Sequence, residues 1–227
     1  MKLLRHGLFD LNPRRKIHTE RIGEGQHHLV IIDDLFAHPR DIVGLMADLH
    51  YTDDEQVRQA APGYRCVMNF PNRDDIYREV FELHYKVYKI NLLSEYGTNR
   101  PSFDHYYDQS PIIKATSCPP HIDVTVDSSY AFVIYMNERN VHGGTQFLRH
   151  ATLGRETSTG TDEVFDQGTT IRPATPWDYL PSEWQRYHLA PMRFNRLISY
   201  RNNVLHSMYS DGSFYRNTPR KTIVSNF

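Results

Sequence analysis

The sequence predicts an α+β protein, with helices in its first half and strands building a β-sandwich or barrel in its second. Two observations predict it. Apolar residues recur at helical spacing between residues 39 and 93, and short β-branched and aromatic runs dominate from residue 103 onward. A third sets the scale. The chain has 227 residues, 39% hydrophobic and 12% aromatic, which suits one domain with one core and is too apolar for a disordered chain.

The elements follow in order. Residues 1–26 are polar and locally basic (Arg14, Arg15, Lys16) and read as an arm with one short strand at most. His28 to Phe36 is a β-branched run and reads as a buried strand. Pro39 suits a first helical turn, and Ile42, Leu45, Met46 and Leu49 continue at helical spacing. A second helix is expected from about Asp74 to Leu93, its stripe being Ile76, Val80, Leu83, Val87 and Ile90, with capping residues in Asn72 to Asp75. After residue 100, Phe103–Tyr107, Pro111–Ser117, Tyr130–Met136, Arg196–Tyr200 and Lys221–Phe227 are extended in character. Between Tyr130–Met136 and Arg196–Tyr200, residues 150–192 carry seven prolines and glycines and read as a lid insertion, with a short helix near 181–187. The domain plan is thus a single unit over 1–227: an arm, a strand with supporting helices over 27–100, and a strand-rich core over 103–227.

Composition excludes several classes. Lys plus Arg is 26 and Asp plus Glu is 27, so the chain lacks the basic excess of a bulk nucleic-acid binder. No apolar run approaches the roughly 20 residues of a membrane helix, and the N-terminal stretch has no continuous apolar segment of the secretory kind. Two cysteines, Cys66 and Cys118, are too few for a disulfide scaffold and read as free thiols. The expectation is a cytoplasmic protein with no membrane and no nucleic-acid partner.

The chemistry sits in Pro119-Pro-His-Ile-Asp123. In an extended strand, residues i and i+2 share a face, so His121 and Asp123 can reach one metal ion together. A histidine from a neighbouring strand completes a three-ligand face with open positions, which suits non-haem Fe(II). The pair alone is weak. Roughly one His-x-Asp is expected by chance in such a composition, and His18-Thr-Glu20 is a second His-x-acid pair, in the arm. The order of later motifs adds the weight: Tyr135-Met-Asn137, Gly143-Gly-Thr145, a strand leading to His206, and Arg220-Lys-Thr222 at the start of the final strand.

This series resembles the Fe(II)- and 2-oxoglutarate-dependent oxygenases, most closely their prolyl-hydroxylase-like branch, over about residues 103–227. The resemblance implies a double-stranded β-helix (a jelly-roll, cupin-like barrel) with the N-terminal helices packed outside. It implies that His121, Asp123 and His206 bind iron, that Arg220 and Thr222 hold the distal carboxylate of 2-oxoglutarate, and that Tyr135 touches the same group. Arg216 rivals Arg220 but lies in a turn-like stretch. Thr145 departs from the family pattern, which has an acid after Gly-Gly. The resemblance further implies that 2-oxoglutarate and O2 are co-substrates and that an unactivated C–H is oxidised, by hydroxylation, desaturation or cyclisation. An aspartate at 123 leaves no room for a halide.

The substrate is less legible. Arg149, Trp177 and Arg201, with Tyr107 and Ile122 beside the motifs, are the candidate pocket residues. A cation paired with an acid clamps an amino acid through its two charged ends. With no added recognition domain, the expected substrate is a small amino-acid-like metabolite, in natural-product biosynthesis. The competing readings are a peptidyl or protein prolyl-type hydroxylase, a non-catalytic jelly-roll binding module, and a cupin-type enzyme without 2-oxoglutarate.

Overall fold

The computed structural model describes residues 7–51, 64–67, 73–89, 104–109, 120–123, 130–139, 143–158, 181–209 and 219–226. Ten strands and two α-helices lie within them. In chain order they are β1 (Lys16–Ile22), β2 (His27–Asp33), α1 (Pro39–Asp48), β3 (Tyr64–Val67), α2 (Arg73–Tyr88), β4 (Asp104–Gln109), β5 (Tyr130–Tyr135), β6 (Gly144–His150), β7 (Trp184–Pro191), β8 (Arg196–Arg201), β9 (His206–Tyr209) and β10 (Arg220–Asn226). All strand pairs are antiparallel. They form a seven-stranded sheet, β1-β2-β8-β5-β10-β4-β3, and a three-stranded sheet, β7-β6-β9. No described helix is long and apolar enough to cross a membrane.

The period-2 pattern of the central strands explains the layering. In β5, Tyr130, Phe132 and Ile134 point to one face, where they join Val30, Ile32, Leu197 and Ile223 against Ile42 and Met46 of α1 and Ile76 and Val80 of α2. Ala131, Val133 and Tyr135 point to the other face, where they join Ile31, Ile198, Tyr200 and Val204 against Phe147 and Ala190 of the small sheet. The large sheet is therefore covered on both sides, by helices and by the small sheet. Every residue of β5 is buried, as expected of a strand whose sequence is apolar throughout.

Several expectations change in detail. The arm contains a full seven-residue strand, β1, in register with β2 from Lys16↔Asp33 to Ile22↔His27. The polar side chains of β1 fit this place, because β1 is an edge strand and six of its seven residues face water or are near it. The part of the expected lid that is described past residue 180 is sheet. A 3-10 turn, Pro181–Glu183, leads directly into β7, which pairs with β6 from Gly144↔Pro191 to His150↔Trp184. No helix forms over 184–187. The remainder of that stretch, 159–180, lies outside the described residues, as do 111–117 and the C-terminal end of the expected second helix past residue 89.

The Gly143-Gly144 pair has a conformational cause. Both residues have positive φ, 130° and 152°, and a Cβ on Gly144 would run into the backbone carbonyl of Ala190. β6 and β7 approach too closely there for any side chain.

Candidate metal centre

His121, Asp123 and His206 come together between the sheets. One ligand atom from each lies within 4.8 Å of the others. A β-bridge sets this geometry. The His121 N–H donates to the His206 carbonyl (2.9 Å), and the His206 N–H donates back to the His121 carbonyl (3.1 Å). Directly opposed residues project to the same side, so both imidazoles emerge together, ring centroids 4.6 Å apart. Asp123 follows two residues later, its N–H donating to the Asn202 carbonyl. Its Oδ2 is 3.3 Å from His206 Nε2 and its Oδ1 is 3.7 Å from His121 Nε2.

The His206 ring is oriented from behind. Its Nδ1 is 2.8 Å from the Val204 carbonyl. A carbonyl only accepts, so Nδ1 carries a proton, and Nε2 is the ring atom turned toward Asp123. This is how metal-binding histidines are held. Tyr200 packs edge-on against the same ring, centroids 4.8 Å apart. Burial pushes the Asp123 carboxyl up, but His206 and His121 outweigh it and hold it below the ordinary carboxylate value. The group is therefore an anion at neutral pH. Two nitrogen donors and one oxygen donor gathered on one side match the ligand set of non-haem Fe(II).

A second polar group lies on the inner face of the large sheet. Arg220 and Thr222 alternate on β10, and Thr222 pairs directly with Tyr135 of β5. All three are buried, at 4%, 0% and 0% exposure. The Arg220 guanidinium carbon lies 5.5 Å from the centre of the Tyr135 ring. The Tyr135 hydroxyl reaches across to Thr145 Oγ1 of the small sheet at 2.8 Å. Thr222 Oγ1 is buried with no hydrogen bond. An unmet buried hydroxyl beside a buried guanidinium is costly unless a ligand meets it, so these residues fit a carboxylate-bearing co-substrate.

The remaining candidates separate. Ile122 points away from its two neighbours and packs against Leu148, Trp184 and Leu205. Arg149 is not open to a ligand carboxylate in this structure, because Glu156 and Glu24 hold its guanidinium. Arg201 is not brought to the triad. It follows the inward-facing Tyr200 in β8 and so turns to the helix side, where its Nε donates to the Tyr130 hydroxyl at 3.1 Å. The backbone of Tyr107 lies opposite Thr222 in β4. Trp177 and Arg216 lie outside the described residues. His18, of the second His-x-acid pair, faces Asp33 in β2, while His188 faces Glu20.

Sequence reasoning missed three contributors. Val204 and Asn202 act through backbone carbonyls, which no residue type announces. The Asn202 side chain is also buried with neither end hydrogen-bonded. Thr145 is visible in the sequence only as a departure from a pattern.

The fold and site together define a two-sheet β protein with a histidine–aspartate–histidine face between its layers. The chain belongs to the family described as "Family of unknown function (DUF6445)", which matches residues 13–214. No curated protein matches. Among solved structures, the chain is similar to the non-haem alpha-ketoglutarate-dependent epimerase SnoN from nogalamycin biosynthesis (14% identity, 91% of this chain, 78% of that one, TM-score 0.47). It is also similar to a prolyl 4-hydroxylase from Phytophthora capsici (12% identity, TM-score 0.42), covering 86% of this chain but spanning only 57% of that protein. A third likeness is to an N-substituted L-amino acid dioxygenase from Burkholderia ambifaria AMMD (12% identity, 93% and 95% coverage, TM-score 0.36). Overlaps this weak carry no functional weight, so the site must.

Proposed function

We propose that the protein is an Fe(II)- and 2-oxoglutarate-dependent oxygenase, with a jelly-roll core, that oxidises an unactivated C–H bond of a small amino-acid-like metabolite. One observation carries the proposal: the same two-sheet layer holds the His121–Asp123–His206 face and, on the inner face of the large sheet, a buried Arg220 with an unmet Thr222 hydroxyl. Iron and a carboxylate-bearing co-substrate each find a matching set of residues. A metal-bound cupin without 2-oxoglutarate has no need of the second set.

Bound iron, with 2-oxoglutarate and O2, supplies the oxidising power for C–H functionalisation. The residues supply position and dryness. His121 and His206 would each offer an imidazole nitrogen, and Asp123 a carboxylate oxygen, to the ion. Val204 fixes the His206 tautomer. Arg220 neutralises the co-substrate's distal carboxylate, and burial of the guanidinium strengthens that attraction. Tyr200 and Phe147, in edge-on contact at 5.1 Å, line the layer between the sheets and exclude water.

The test is succinate release by the Fe(II)-loaded protein, supplied with 2-oxoglutarate under air and with a library of amino acids and N-substituted amino acids. Succinate that rises only with certain library members supports the reading and identifies the substrate class. Absence of succinate under all conditions, including uncoupled turnover, removes 2-oxoglutarate from the mechanism.

A further inference from the structure

Resting on the metal-centre reading above, we infer that Glu156 is a positioning residue of that centre, which clamps the backbone behind His206 to the β1–β2 turn. The contacts run outward from the His206 ring. Its Nδ1 proton goes to the Val204 carbonyl at 2.8 Å. Val204 closes a tight turn, its N–H donating to the Arg201 carbonyl at 3.1 Å, and it forms an isolated bridge with Thr157. On either side of that bridge, the Leu205 N–H donates to the Glu156 carbonyl at 2.8 Å and the Ser158 N–H to the Asn203 carbonyl at 2.9 Å. Residues 156–158 therefore form the outer wall that aims the Val204 carbonyl. Two backbone hydrogen bonds do not by themselves hold three residues in place, because each barely offsets the entropy of ordering one residue.

Glu156 supplies the missing support. Residues 151–155 before it are exposed, whereas Glu156 is only 7% exposed. Its carboxylate enters the β1–β2 turn, where it accepts from the Glu24 and Gly25 N–H groups at 3.1 and 2.9 Å and lies 3.0 Å from His27 Nε2. Arg149 Nε donates to it at 3.0 Å from β6. The turn is shaped to receive it. Gly23 has a φ of 68°, and a Cβ there would strike the Glu156 carboxylate, so only glycine leaves the space. One acid thus joins the β1–β2 turn, β6 and the approach to His206. Metal-binding imidazoles depend on outer contacts of this kind for their orientation. A tie that served stability alone would leave the metal site unmoved when it is cut.

The experiment is Mn(II) binding, followed through the electron paramagnetic resonance of the free ion, in wild type, Glu156→Ala, Gly23→Ala and Asp33→Asn. Asp33→Asn cuts a different buried acid–arginine tie, to Arg196 at 2.6 Å, and controls for general destabilisation. Glu156→Ala is expected to weaken Mn(II) roughly tenfold, the low end of the effect of losing an outer contact. Gly23→Ala pushes on the same carboxylate from the turn, so it should weaken Mn(II) too, and it carries the test if Glu156→Ala does not fold. Asp33→Asn should stay within about twofold of wild type, as expected of an independent site. Co(II) gives the second readout. The hyperfine-shifted Nδ1–H resonance of His206 should exchange with solvent faster in Glu156→Ala than in wild type or Asp33→Asn, because its acceptor is no longer held. Wild-type Mn(II) affinity in Glu156→Ala, or in Gly23→Ala where that variant stands in for it, overturns the inference. An equal loss in Asp33→Asn or an unchanged Nδ1–H exchange rate does the same. A wild-type protein that binds neither ion overturns the metal-centre reading itself.

Discussion

His206 carries more of the site than either other ligand. It closes the β-bridge to His121, bonds Val204 through Nδ1 and presents Nε2 to Asp123. Loss of a supporting contact alone costs metal affinity 10- to 100-fold, roughly, so loss of a ligand should cost at least that. His206→Ala is expected to reduce Fe(II) binding by roughly a hundredfold or more, with folding retained because its strand partners are backbone-bonded. Metal titration with circular dichroism checks both halves. At Arg220 the expected outcome differs. Arg220→Gln leaves iron binding nearly intact but raises the 2-oxoglutarate requirement steeply. Removing one partner of a buried charge pair costs about 3–5 kcal/mol, or roughly a hundredfold or more in affinity. Arg220→Lys is a poor substitute, because an ammonium lacks the two-pronged geometry. A titration in which Arg220→Gln behaves as wild type would remove Arg220 from the co-substrate site.

Between elements, the most connected tie is Glu156. Its carboxylate accepts from the Glu24 and Gly25 N–H groups in the β1–β2 turn, at 3.1 and 2.9 Å, and from Arg149 at the end of β6. His27 Nε2 lies 3.0 Å away. The Glu156 carbonyl also accepts from Leu205 N–H, one residue before the His206 ligand. Burial alone would raise the Glu156 carboxyl, but the Gly25 and Glu24 N–H groups and Arg149 prevail and lower it. A lowered carboxylate contributes stability above its unfolded value of about 4.5, lost as pH falls through the folded value. Glu156→Ala leaves two turn amides unmet and Arg149 with Glu24 alone, and is expected to lower the unfolding free energy measurably. Urea unfolding at pH 7 measures it. A change within about 0.5 kcal/mol would show that the tie is dispensable.

For the whole molecule, the helix side of the large sheet carries an acid-sensitive joint. His84 of α2 is fully buried, with Nε2 3.3 Å from Ser199 Oγ of β8 and Nδ1 without a hydrogen bond. Its ring leans on Tyr130, centroids 4.4 Å apart. Burial, with the nearby charges of His28 and Arg201, pulls it down from 6.5 to about 3. The unfolded chain therefore takes up this proton first as pH falls. The stabilising effect is complete above about 6.5 and is lost progressively toward 3, at up to about 1.4 kcal/mol per pH unit. His84→Gln should flatten the wild-type decline in unfolding free energy between pH 6.5 and 4.5. Denaturant titrations across that range test it, and parallel slopes for the two proteins would place the acid sensitivity elsewhere.

Strand and helix identity was legible where periodicity is strong. Ile76, Val80 and Leu83 mark α2, and the Tyr130–Tyr135 run marks a strand covered on both faces. The proposed metal face was legible because His-x-Asp on an extended segment puts two donors on one face, whatever lies around it. Other features needed tertiary structure. β7 hides in a polar, proline-rich stretch, because its pairing with β6 is a backbone property. Arg201 was misplaced because only the inward turn of Tyr200 decides that its neighbour faces the helices. Arg149 reads as a free cation until Glu156, seven residues on, and Glu24, 125 residues earlier, close on it. Thr145 has no meaning alone. By itself the sequence determined local periodicity and the donor types of the ligands. Only the packing of two sheets decided which protons and charges remain for a ligand, because hydrogen-bond satisfaction depends on neighbours distant in the chain.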